Sequence, residues 1–86
     1  MRRLRAEHSR LHAIAAGDVA VFDALYDAFS LPTYSLCRLL SERPENATAL
    51  MNAVWMHIWQ NAAALAVETG SIQTIVLRVV ARLTAL

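Results

Sequence analysis

Two arginines near the end of the chain are the side chains best suited to bind an anion. Arg78 and Arg82 are four residues apart, so on a helix they share one face. A guanidinium donates several hydrogen bonds in a fixed plane, which suits phosphate oxygens. The pair is consistent with a nucleic-acid contact or with two solvated arginines, and the spacing alone leaves both interpretations open.

The histidines provide too few ligands for a metal site. His8 and His12 are also four residues apart, but a metal site needs at least one further ligand, and His57 is the one remaining histidine. We therefore expect solvated or weakly packed histidines and no bound metal.

The sequence also offers few residues or motifs that could serve as a nucleophile or bind a phosphate. Cys37 is the single cysteine, and its apolar neighbours Leu36 and Leu39 favour a small core residue over a reactive thiol. No glycine-rich phosphate loop and no nucleophile motif are present. We predict that the chain is not an enzyme and uses no cofactor.

The composition points to a single small domain with surplus apolar residues. The chain has 86 residues, of which 57% are hydrophobic, against about 45–50% in typical domains. Residues 47–67 are long enough to span a bilayer, but Asn52, His57, Gln60 and Asn61 would be costly there. The lone cysteine fits a reducing compartment, so we expect a cytoplasmic protein. The net charge of +1 favours no class of partner.

The glycines and prolines divide the chain into four predicted helices, which makes the expected fold an all-α bundle. Gly17 can end the first helix and Asp18 can cap the second. Pro44 suits the first turn of the third helix, and Ser71 can cap the fourth. The predicted helices cover residues 3–16, 19–40 with a kink near Pro32, 45–64 and 72–86.

The third predicted helix is apolar on nearly every side. Trp55, Met56, Ile58 and Trp59 almost surround it, which is typical of a helix that is buried all round. Three short helices provide little to cover it. The large number of apolar residues on this helix therefore indicates either core packing or an interface for another helix.

Four stretches of the sequence carry a family resemblance in their order and spacing. They are residues 15–18 (Ala-Ala-Gly-Asp) followed by Phe22, Leu25, Tyr26 and Asp27; residues 34–40; residues 43–47 running on to Val54, Trp55 and Trp59; and Gly70-Ser71 with Val76-Leu77 and Ala81-Arg82. Together they resemble region 2 of the extracytoplasmic-function sigma factors of the sigma-70 family.

The resemblance implies a four-helix domain with two binding surfaces. In that family the third helix docks on core RNA polymerase, and the following loop and fourth helix capture a flipped base of melted −10 promoter DNA. The polymerase or partner surface then falls on Asn52, Ala53, Trp55, Met56, His57 and Trp59. The DNA surface falls on Gly70, Ser71, Thr74, Arg78 and Arg82.

Several positions depart from the family pattern. The acidic cluster of the third helix is replaced here by Thr48, Ala49 and Ala53, and Glu68 lies in the loop beside the expected DNA path. These changes support an alternative hypothesis, a sigma mimic that binds an anti-sigma factor or pairs with itself. A third interpretation is a helical bundle that dimerises and whose likeness is accidental.

Overall fold

Four α-helices follow one another along the chain. The computed structural model describes the backbone of residues 2–84 and the side chains of residues 8–84. The helices are α1 (Arg2–Ala15), α2 (Val19–Leu40), α3 (Pro44–Leu65) and α4 (Ile72–Thr84). No strand occurs within residues 2–84, so the predicted all-α four-helix fold is confirmed. The predicted continuation of the last helix to residue 86 lies outside the described residues.

The junction between α1 and α2 follows from two adjacent residues, Gly17 and Asp18. Gly17 has a φ of +92°, in the left-handed region that glycine adopts without strain, and its N–H donates to the carbonyl of Ile14. Asp18 then caps α2, because its carboxylate accepts the backbone N–H of Val21 at 3.1 Å. The chain therefore passes from α1 to α2 within three residues.

Helix α2 continues through Pro32, so the chain is not broken there, and the predicted kink stays a prediction. The irregularity lies in α3, where Asn61 has φ −120° and ψ 20°. The side-chain nitrogen of Asn61 donates to the carbonyl of His57 at 2.9 Å. That carbonyl would accept the backbone N–H of Asn61 in a regular helix, so side chain and backbone compete for it.

Helix α3 is the centre of the bundle and contacts each of the other three helices. One side of α3 is buried and the other is exposed to solvent, so the three neighbouring helices do not cover it all round. No further helix covers its solvent side, which carries alanines, Met56 and polar residues such as Asn52 and Gln60. The buried residues of α3 are Ala47, Met51, Val54, Trp55, Ile58, Ala62 and Leu65, and the exposed apolar ones are Ala49, Ala53, Met56, Ala63 and Ala64.

Helical spacing predicts a core stripe of Ile72, Ile75, Val79 and Leu83 on α4, and the structure buries all of these except Leu83, which is 40% exposed. Ile72, Ile75 and Val79 are almost completely inaccessible, and each such side chain contributes about 1.5–3 kcal/mol of burial free energy. Leu77 and Leu83 point away from the core and are exposed. None of the helices within residues 2–84 combines the length and apolarity needed to cross a bilayer.

Cys37 is a fully buried core residue. Burial raises the pKa of its thiol above the ordinary value of 9.0, because the charged thiolate is poorly solvated there. The thiolate is the nucleophile, so the folded protein protects this cysteine both sterically and electrostatically.

We predict that Cys37 reacts with a thiol reagent only as fast as the domain opens. Labelling at neutral pH should be slow in the native protein and fast in denaturant. Because the folded thiol keeps its proton to higher pH than the unfolded one, the free energy of unfolding should fall as the pH rises through that region. Rapid labelling of the native chain, at the rate of a free thiol, would contradict this assignment.

Asp18→Ala should remove the cap of α2 and destabilise the domain by about 1 kcal/mol. For a domain of this size that corresponds to a fall in melting temperature of about 4–8 °C, measurable by circular dichroism. Asp27→Ala is the matched control, since Asp27 is an exposed acid in the interior of the same helix. Equal melting temperatures for the two variants would show that the cap contributes nothing.

Candidate interaction surfaces

An open groove of about 480 Å³ lies between α2 and α3. Four of the six predicted partner-contact residues lie along it. The groove is lined by Val19, Phe22, Asp23, Asn52, Trp55, Met56 and Trp59. The other two predicted contacts, Ala53 and His57, are respectively exposed and half-buried on α3 and do not line the groove.

Aromatic rings form the base of this groove. Phe22 meets Trp55 edge-on, with ring centroids 6.1 Å apart, and meets Trp59 edge-on at 5.2 Å. Tyr26 meets Trp55 edge-on at 5.2 Å. Such pairs contribute about 0.5–1.5 kcal/mol each beyond their buried area, so they hold α2 on α3. The spacing of four residues puts Phe22 and Tyr26 on one face of α2, but the sequence did not indicate that they would face two tryptophans.

The walls of the groove are apolar and open to solvent. Met56 is 54% exposed and Val19 is 56% exposed, whereas Trp55 beneath them is 4% exposed. Trp59 is half-buried. Apolar side chains that line a concave surface are typical of a site that another helix covers.

The indole N–H of Trp55 is buried and has no hydrogen-bond acceptor. Leaving a buried donor unpaired costs about 1–3 kcal/mol. The groove therefore lies over the indole nitrogen of Trp55, which makes no hydrogen bond.

Charge around the groove comes from α2. The exposed carboxylate of Asp23 lies on its edge. On α3, no charged side chain occurs between Asn46 and Val67. The surface is thus apolar in the middle and acidic on one side.

The second predicted surface lies at the other end of α3, where residues 66–71 lead into α4. Ser71 caps α4: its hydroxyl accepts the backbone N–H of Thr74 at 3.2 Å and lies 3.1 Å from the Thr74 hydroxyl. Gly70 has a φ of +101°, and a Cβ there would come within 3.3 Å of Thr74. The backbone conformation therefore favours glycine at this turn, and a Cβ would also require a small shift of the Thr74 side chain.

Both arginines of α4 bind the loop that precedes them. Nη1 of Arg78 donates to the carbonyl oxygen of Thr69 at 2.6 Å. Arg82 forms an ion pair with Glu68. The structure thus brings all five predicted DNA-contact residues to one region, but gives each guanidinium an intramolecular partner that the spacing in sequence did not indicate.

Helix α1 also holds this loop. Nε2 of His8 lies 2.9 Å from the carbonyl oxygen of Gly70, and because a carbonyl only accepts, Nε2 carries the proton. We expected a solvated or weakly packed His8, whereas the structure ties it to the loop. Within residues 8–84, no three His, Cys, Asp or Glu side chains lie close enough together to hold a metal ion.

Comparison with known proteins adds no further constraint on these surfaces. No protein-family model, no curated protein and no solved structure matches this chain. The sigma resemblance therefore stays a prediction that depends on the residues named above.

Proposed function

We propose that this chain is a sigma region 2-like module of transcription initiation that binds core RNA polymerase through the groove between α2 and α3. The observation that supports this most is the groove itself. Four residues that the resemblance assigns to polymerase contact, Asn52, Trp55, Met56 and Trp59, line one open apolar surface. A cytoplasmic location follows from such a partner.

The chemistry of the groove suits a helical partner with mixed character. Aliphatic side chains of the partner would pack against Met56 and Trp59, as in other helix-in-groove contacts. A basic side chain would pair with Asp23 at the edge. Asp23 would in this way compensate in part for the acids that α3 lacks, since those acids pair with polymerase arginines in the family.

The loop of residues 66–71 and α4 form the second part of the proposal, the contact with melted −10 DNA. A guanidinium has five N–H groups, so the Arg78 bond to Thr69 leaves donors for a phosphate. The role involves no reaction: the free energy of binding alone would hold the separated strand.

A second candidate function is a sigma mimic that binds an anti-sigma factor or a second copy of itself. Two observations favour it. Beyond Glu45 in its first turn, α3 carries no carboxylate, and Glu68 already occupies Arg82. The same groove would be the contact surface, but neither polymerase nor DNA would be bound.

Met56→Glu tests the groove in a pull-down with core RNA polymerase at low and physiological salt. The carboxylate would enter an apolar contact without a partner, so we expect retention to fall about tenfold or more. Leu39→Glu is the matched control: Leu39 is 84% exposed on α2 and lies outside the groove, so its variant should be retained like the wild type.

The outcomes separate the candidates. If polymerase retains the wild type and both variants lose that retention to the same extent, the groove is excluded as the contact surface. A wild type that polymerase does not retain, but that sediments as a dimer or binds an anti-sigma factor, would replace the polymerase proposal with the sigma mimic.

A further inference from the structure

We infer that Glu68 is an autoinhibitory residue that masks Arg82 from single-stranded nucleic acid. This inference rests on the strand contact of the proposed function and divides its two arginines into different roles. Arg78 positions the loop, and Arg82 is the side chain that a phosphate would take over.

Two side chains hold the loop of residues 66–71 through its main chain. Arg78 donates to the backbone of Thr69, and His8 donates to the backbone of Gly70. Both bonds go to main-chain carbonyls. A phosphate that took the place of either carbonyl as acceptor would break the bond that holds the loop. Arg78 is therefore committed to holding the loop in place.

The contact of Arg82 is of another kind. Its partner is a side-chain carboxylate, an anion that a phosphate resembles in charge and in hydrogen-bonding geometry. The side chain of Arg82 is 49% exposed, against 22% for Glu68. A strand can therefore approach the guanidinium from solvent and exchange with the carboxylate.

Glu68 is held there at a cost. One of its oxygens binds Arg82, but the other, Oε2, is buried and has no hydrogen-bond partner. A carboxylate oxygen that has left water without a bond in return regains hydration when the side chain moves out. Exchange of Glu68 for a phosphate thus relieves an unfavourable arrangement and leaves the charge of Arg82 neutralised.

The mask also acts through charge. While Glu68 is in place, the α4 surface carries Arg78 and Arg82 against one adjacent carboxylate, and the phosphate chain meets a negative group on its path. The overall charge of the protein is only +1, so little general attraction compensates. One ion pair therefore controls a large share of the affinity for a strand.

Glu68→Gln tests the mask by fluorescence anisotropy with a labelled single-stranded oligothymidylate of about twelve nucleotides. We expect the affinity to rise about three- to tenfold. The slope of log K against log salt should steepen by about 0.7, because one more phosphate is neutralised. The same substitution in an Arg82→Ala background should produce neither change.

Glu45→Gln is the matched control. Glu45 is an exposed acid at the opposite end of α3, close to Arg43, so its variant has the same net charge without touching the loop. Circular dichroism melts of all variants verify that the fold is retained. Equal gains for Glu45→Gln and Glu68→Gln, no gain for Glu68→Gln, or a gain that persists without Arg82 would each overturn the inference.

The pull-down with core RNA polymerase distinguishes failure of the Glu68 inference from failure of the proposed function. Glu68 lies outside the groove, so a chain that polymerase retains but that shows no gain with Glu68→Gln refutes the mask alone. A chain that polymerase does not retain, yet whose Glu68→Gln variant gains affinity through Arg82, supports the mask and refutes polymerase docking.

Discussion

The structure depends on how much of α3 its neighbours can cover. Helix α3 contacts every other helix, and its buried side alone includes Val54, Trp55 and Ile58. Three helices can close only part of the circumference of a fourth. The uncovered part carries Thr48, Asn52, Gln60 and Asn61 besides alanines and Met56, which keeps its apolar area small but does not remove it. At the groove, the part of α3 that its neighbours leave uncovered carries large side chains.

The position of α2 explains why the groove is aromatic. Asp18 fixes where α2 begins, and the edge-on contacts of Phe22 and Tyr26 with Trp55 fix how it lies on α3. Trp59, one turn further along α3, then meets Phe22 alone and stays half-buried. The contacts that stabilise the pair of helices therefore also define the surface on which the proposed function relies.

Sequence alone predicted the features that arise from local chemistry. Gly17, Asp18, Pro44 and Ser71 marked the helix ends because each acts on backbone groups within a few residues. It did not predict the contacts between distant parts of the chain: 62 residues separate His8 from Gly70, and 14 separate Glu68 from Arg82. Such pairings depend on how the helices cross, which no local pattern encodes.

The irregularity of α3 shows the same limit at short range. Pro32 was the expected place for a distortion, since proline removes a helical hydrogen bond. The helix passes through it, and Asn61 departs from helical geometry because its own side chain takes the carbonyl of His57. An asparagine side chain can bond neighbouring backbone groups in place of the helical hydrogen bond, and its type alone does not tell at which asparagine of a helix this occurs.

The two surfaces lie at different places on α3, and this arrangement bears on the proposed function. The groove lies along its side, whereas the loop continues directly from its end, where Leu65 and Ala66 are buried. A partner bound along α3 would therefore present the loop in a fixed direction without covering it. With Glu68 on Arg82, the free chain would have little affinity for strands elsewhere. Placement by a partner would raise the local concentration of one strand, which would favour exchange at Arg82 in the assembled complex.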